Sequence, residues 1–362
     1  MKTRSKLIIG SLIFLILIIV GALLVQYFFK NKNETQLQTS LESVTAFSAN
    51  ETNQIKTEIS ETIQFPSHIL SNGEIYSYNL DNSKFYKTNL STKKSLAIIP
   101  FANTDNIINA QWDQSNDKVL AIQDNSYKIF SLNDSKVYPL DNNLSNLFWL
   151  DGNRLIGNYY KPEDSTNRIL IINSQGELQE TILDLETSID ALPVNIIGAS
   201  NNNVYYLLNG YLYELNLLTK ENNKIIEQQI TSAKISPRSD KIIYSTFIDE
   251  KFSDFVFDLN TRATAQLQNI DIDASNILWS SDESTLYLIK NSLEISEGSS
   301  ASSYYLLDKI EKYNLNNQQV ESTIDIAGQG KYGADDFFLS SDESKIYFVN
   351  SANSFLYSIN LK

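Results

Sequence analysis

Apolar and polar positions alternate along most of the chain in short runs, and two polar turns separate these runs in strict rotation. The first turn is an apolar residue, a polar stretch of six and an apolar strand residue. It occurs at Trp112 to Val119, Ile197 to Val204, Ile235 to Ile242 (ISPRSDKI), Trp279 to Leu286 (WSSDESTL) and Leu339 to Ile346 (LSSDESKI). Shortened copies lie at Leu70 to Ile75 and Trp149 to Leu155, where Asn72-Gly73 and Asp151-Gly152 suit tight hairpins. The second turn begins with Asn or Asp, often followed by Leu, and continues in Ser, Thr, Asn or Lys. It starts at Asn89, Asn133, Asn173, Asn216, Asp258, Asn314 and Asn360.

Seven copies of each turn interleave, and the equivalent second-strand positions from Ile75 to Ile346 recur about every 45 residues, the period of a propeller blade. Each unit reads as a four-stranded antiparallel meander. The predicted fold is all-β, a seven-bladed β-propeller. The last unit stops at Lys362, one strand short, so the ring is expected to close with a strand from the N-terminal side. Residues 58–65 (EISETIQF) are taken as that strand, with Ile59, Ile63 and Phe65 facing the blade, Glu58 and its alternates facing water, and Pro66 at the boundary.

The copies ISPRSDKIIYS, WSSDESTLYLI and LSSDESKIYFV resemble the WD40-like repeat of the TolB propeller and of the dipeptidyl-peptidase IV N-terminal propeller, which reads apolar-Ser-Pro-Asp-Gly-x-x-apolar. Only Pro237 keeps the family's proline. The resemblance spans roughly residues 66–362 and implies the fold; its motif sets a turn and carries no chemistry. The α/β domain that precedes the TolB propeller and the hydrolase domain of the peptidases have no counterpart in this sequence.

Before the repeats, residues 7–29 are apolar apart from Ser11 and Gln26 and would span roughly 35 Å as a helix. They are expected to cross a membrane once. Lys2, Arg4 and Lys6 precede them, which favours residues 1–6 in the cytoplasm and the propeller outside it, extracellular or periplasmic. Val20-Gly21-Ala22 resembles a signal-peptide site, but further apolar residues follow, which favours an anchor. Residues 30–57 are polar, without Gly or Pro, and read as a stalk before a propeller over 58–362.

Composition narrows the chemistry. Net charge is −14, and residues 1–32 hold five basic and no acidic residues, so the remainder is more acidic still. Such a surface repels nucleic acid. There is no cysteine, hence no disulfide or thiolate site, and His68 is the only histidine. No Gly-x-Ser-x-Gly elbow occurs. Gly328-Gln329-Gly330-Lys331-Tyr332-Gly333 matches a dinucleotide fingerprint only in letters, because a strand and turn follow it where a helix is needed. Ser280 to Thr285 approaches a sialidase box, yet only Arg154, Arg168, Arg238 and Arg262 lie beyond the anchor, too few for a carboxylate-binding arginine cluster.

The most suggestive distribution is acidic. Asp105, Asp141, Glu186, Asp190, Asp271, Asp273, Asp335 and Asp336, with Lys331 the lone base, fall between blades, on what should be one face. Convergent carboxylates there suit calcium or a basic protein surface. No other cofactor is expected. Asn291 to Ser303 is an insertion in blade six, read as a hairpin tip or a partner-binding finger. The three tryptophans share one repeat position and are expected to pack between blades. Together these features predict a membrane-anchored binding scaffold for a protein or envelope polymer, not an enzyme. The alternative is a carbohydrate-active or other hydrolytic propeller using loop carboxylates.

Overall fold

The computed structural model describes residues 55–362 apart from 68, 71, 80, 99–103, 162, 164–165, 186–193, 201, 249, 296–302, 328, 330–331 and 362. The described residues begin with β1 (Ile55–Ile59). Blade 1 is β2 (Ile63–Gln64), β3 (Glu74–Asn79), β4 (Lys84–Asn89) and β5 (Lys94–Ala97); blade 2 is β6 (Ile107–Trp112), β7 (Lys118–Gln123), β8 (Ser126–Ser131) and β9 (Lys136–Pro139). Blade 3 is β10 (Leu144–Asp151), β11 (Arg154–Lys161), β12 (Thr166–Asn173) and β13 (Leu178–Asp184). Blade 4 is β14 (Asn195–Ser200), β15 (Asn203–Leu208), β16 (Tyr211–Asn216) and β17 (Asn222–Ile226). Blade 5 is β18 (Ser232–Ile235), β19 (Lys241–Ile248), β20 (Lys251–Asp258) and β21 (Thr264–Gln266). After a 3₁₀ turn at Ala274–Asn276, blade 6 is β22 (Ile277–Trp279), β23 (Thr285–Ile295), β24 (Ser303–Asn314) and β25 (Gln319–Asp325). Blade 7 is β26 (Ala334–Leu339), β27 (Lys345–Asn350) and β28 (Leu356–Asn360), completed by β1 in the order β1-β28-β27-β26.

The two sequence turns form by local hydrogen bonding. In the first, a Ser or Asp after the apolar residue folds its side chain over the turn, as Ser236, Ser280, Ser340 and Asp113 do. Lys241 N donates to Ser236 Oγ, Thr285 N to Ser280 Oγ, Lys345 N to Ser340 Oγ, and Lys118 N to Asp113 Oδ1, all at 2.9–3.0 Å. In the second, the leading Asn or Asp accepts backbone N–H groups two and three residues on. Asn216 Oδ1 takes Leu218 N and Thr219 N, and Asp258 Oδ1 takes Asn260 N and Thr261 N. A residue at positive φ then closes each of these turns, Lys220 at 64° and Arg262 at 62°. That combination explains why Asn and Asp recur where they do.

Seven apolar clusters, one between each pair of neighbouring blades, form the core of the described ring. The cluster between blades 7 and 1 joins Ile59, Tyr347, Val349 and Leu356 to Ile63 and Ile75, so the circle is closed. All these side chains are buried. Closure does come from the N-terminal side, but by an earlier segment than residues 58–65. Ile55 pairs with Ile359, Lys56 with Ser358, Thr57 with Tyr357 and Ile59 with Leu356. Ile63 and Gln64 pair with Asn79 and Tyr78 in blade 1, and Phe65 turns away at φ 50°. The propeller therefore starts within the expected stalk, near Gln54.

Glu58, expected in water, is buried because blade 7 supplies partners for it. It accepts from Ser358 Oγ at 2.8 Å and Lys345 Nζ at 3.2 Å, with Lys56 and Lys93 at 3.3 and 3.8 Å. Residues 7–29, His68 and the tip of the blade-6 insertion lie outside the described residues. Among the described residues no helix is long and apolar enough to cross a membrane. Much of the insertion lengthens β23 and β24, whose ladder runs on from Asn291 opposite Leu307 to Ile295 opposite Ser303.

Candidate functional site

An antiparallel meander places the inter-blade linkers and the tips of the two middle strands at one end, here called the linker face. The two sequence turns lie at the other end, the turn face. Bonds cross between blades repeatedly near the turn face. Lys118 Nζ donates to Gly152 O, Lys220 pairs with Glu180, Arg262 with Glu214 and Lys241 with Glu283. Ser281 N donates to Glu343, and Lys93 Nζ to Thr57 O across the closure. Trp112 Nε1 donates to Phe65 O at 2.7 Å between blades 1 and 2. Glu283 and Glu343 of the repeat motif thus hold neighbouring turns together, with Glu283 also taking Arg238 N at 2.7 Å.

On the linker face, the expected acidic residues serve mainly local backbone. Asp141 Oδ1 accepts Asn143 N at 2.9 Å, Asp271 Oδ1 accepts Phe252 N at 3.1 Å, and Asp273 caps the 3₁₀ turn by accepting Ser275 N. Asp105 is exposed, and its carbonyl takes Gln123 Nε2. Asp335 and Asp336 lie on inner strand β26 instead of a linker, because the linker already ends at Gly333, whose carbonyl receives Ser351 N. The strand that follows Gly333 agrees with reading Gly328 to Gly333 as an inter-blade connection. Glu186, Asp190 and Lys331 lie outside the described residues. Among the described residues no three His, Asp or Glu side chains gather as a metal site.

One carboxyl stands apart from these, and sequence reasoning missed it. Asp254 on β20 is fully buried. Burial pushes its carboxyl up to about 6, against the hydrogen bonds from Ser245 Oγ and Ile272 N and with help from the nearby Asp273 and Asp271 charges. Ser245 Oγ donates to it at 2.5 Å and accepts Ala274 N at 2.8 Å. This network ties the linker before blade 6 to blade 5. Its role is structural, since every atom in it faces protein.

The central channel holds a cavity of about 490 Å³ bounded by the inner strands of blades 3 to 7 and by the turn residues Gln114, Pro237 and Ser239. Phe148, Leu150, Ile235, Leu278, Phe337 and Leu339 form apolar walls, with Trp149 and Trp279 at the border. Among the described residues, Lys234 on β18 is the single charged side chain lining the cavity, and no carboxylate lines it. Its Nζ donates to Ile277 O of the next blade at 2.9 Å. Burial alone holds the ammonium below the ordinary lysine value. The position just before each repeat's apolar residue is Gln111, Phe148, Ile196, Lys234, Leu278 and Phe338 in successive blades, so a charge in an otherwise mostly apolar series was the available signal.

The tryptophans do pack between blades. Trp149 Nε1 donates to Gln111 O at 3.2 Å, as Trp112 does to Phe65 O, whereas the buried Trp279 Nε1 has no partner among the described residues.

No protein-family model and no curated protein matches the chain. Among solved structures it is similar to the β-propeller domain of Cps50 (Swd1) from Myceliophteria thermophila, with a TM-score of 0.58 and 10% identity over 85% of this chain and 100% of that one. At that identity the likeness is one of fold, and the fold shared is the β-propeller.

Proposed function

We propose that this chain is a membrane-anchored propeller, held outside the cytoplasm, that binds a protein partner on its linker face and catalyses no reaction. The observation that carries the reading is the contrast between the two faces. The turn face repeats the same two hydrogen-bonded turns and is bonded from blade to blade. The linker face varies, from the two-residue Asn209-Gly210 hairpin to the extended β23–β24 pair. A rigid ring with one variable face suits display of binding loops.

Two features indicate the partner's chemistry. The acidic surface favours a basic partner, with affinity that falls as salt screens it. Phe247 is 52% exposed at the end of the β19–β20 hairpin and packs on Phe252 with ring centroids 4.9 Å apart, an aromatic anchor of the kind that dominates protein interfaces. The anchor and orientation rest on residues 7–29 and on Lys2, Arg4 and Lys6, and the TolB-like character on the repeat motif. The hydrolytic alternative draws no support from the channel, where no carboxylate pair lines the cavity among the described residues.

Protease added to intact cells or spheroplasts tests the placement. The propeller should be cut in the wild type and protected when Lys2, Arg4 and Lys6 are all changed to Ser. A wild-type propeller that stays intact until the cells are lysed would refute the orientation.

A further inference from the structure

The channel cavity carries an inference independent of the partner reading. We infer that it binds a small amphipathic monocarboxylate, whose carboxylate pairs with Lys234 Nζ and whose apolar body lies against Phe148, Ile235, Leu278 and Phe337. The cavity, about 490 Å³, falls within the range of small-molecule sites, roughly 300–1,000 Å³. Its composition is that of such a site: mostly apolar and aromatic walls with a few polar groups, Gln114, Ser236 and Ser239, and one cation, Lys234.

Packing does not require the charge. Blades 3, 6 and 7 fill the equivalent position with Phe148, Leu278 and Phe338. An ammonium there loses much of its hydration, and one carbonyl, Ile277 O, accepts one of its three N–H groups. The other two meet no protein acceptor among the described residues. Desolvation without a counter-ion is unfavourable for the charged form, and an incoming carboxylate supplies the missing pairing. A single cation without an arginine fork matches one carboxylate better than a phosphate dianion, and the walls select for an attached apolar group.

Tryptophan fluorescence reads occupancy, because Trp149 and Trp279 border the cavity. The full-length protein is titrated with octanoate, with the isosteric uncharged octanamide and with inorganic phosphate. The expected result is a saturable change with octanoate at least tenfold tighter than with either control. Lys234→Met should abolish that preference, and Lys234→Arg should keep it. Octanamide binding as tightly as octanoate, phosphate competing as well as octanoate, or no saturation in the wild type would overturn the inference, and none of these depends on a variant folding. Unchanged octanoate affinity in a folded Lys234→Met protein would overturn it equally.

Discussion

Glu58→Ala is the sharpest perturbation of the ring closure. The carboxylate is 4% exposed and joins β1 to β28 and β27 through Ser358 Oγ and Lys345 Nζ. Burial pushes Glu58 up, but the Ser358 hydrogen bond and the Lys345 and Lys56 charges outweigh it and hold the carboxyl below its ordinary value. Removing it leaves a buried serine hydroxyl and a half-buried ammonium without their acceptor. Losing a charge-assisted bond while orphaning a buried partner costs about 2 kcal/mol. For a domain of this size that is a fall of roughly 4 °C in melting temperature. Lys56→Ala, on the exposed part of the same strand, should change stability by about 0.5 kcal/mol or less.

The pH dependence gives a second, independent readout. A depressed carboxyl contributes stability that is present above the unfolded value, about 4.3, and lost as pH falls through its lower folded value. The gap between wild type and Glu58→Ala should therefore hold from neutral pH to about 5 and close below about 4. The assay is thermal unfolding by circular dichroism at pH 7 and across that range. A Glu58→Ala protein within about 0.5 kcal/mol of wild type at pH 7 would show that β1 does not close the ring through this contact.

Two further outcomes follow from buried polar groups. Asp254, raised to about 6 in the fold, contributes stability that is complete below its unfolded value and lost as pH rises through about 6. Asp254→Asn should thus gain on the wild type by about 3 kcal/mol between pH 3.5 and pH 7.5 in urea unfolding, and a pH-independent difference would contradict the assigned burial. Trp149→Phe forfeits a hydrogen bond that Trp279→Phe does not, so it should cost about 1 kcal/mol more; equal losses would mean that Trp279 Nε1 has a partner after all.

The blade count, the meander and the need for N-terminal closure were legible because the two turns are local codes. A Ser, Asn or Asp side chain bonds to backbone a few residues away, so its position in sequence is its position in the turn. Which segment closes the ring was not legible from alternation. Ile55, Thr57 and Ile59 have the same parity as Ile63 and Phe65, and the deciding contacts of Glu58 come from residues about 300 positions away. Lys234 and Asp254 escaped for the same reason. Their burial is imposed by neighbouring structure, Ile277 of blade 6 over one and the linker around Ile272 over the other. The carboxylates of Asp141, Asp271 and Asp273, between blades, engage backbone N–H groups, a use that charge counting does not reveal.

Site-specific photo-crosslinking in cells distinguishes the two faces as partner surfaces. A photoreactive residue at Phe247 on the linker face is compared with one at Leu218, 72% exposed on the turn face. Partner binding on the linker face should give a discrete protein adduct from position 247, diminished at high salt, and none from position 218. Adducts formed equally from both positions, or from position 218 alone, would contradict partner binding on the linker face.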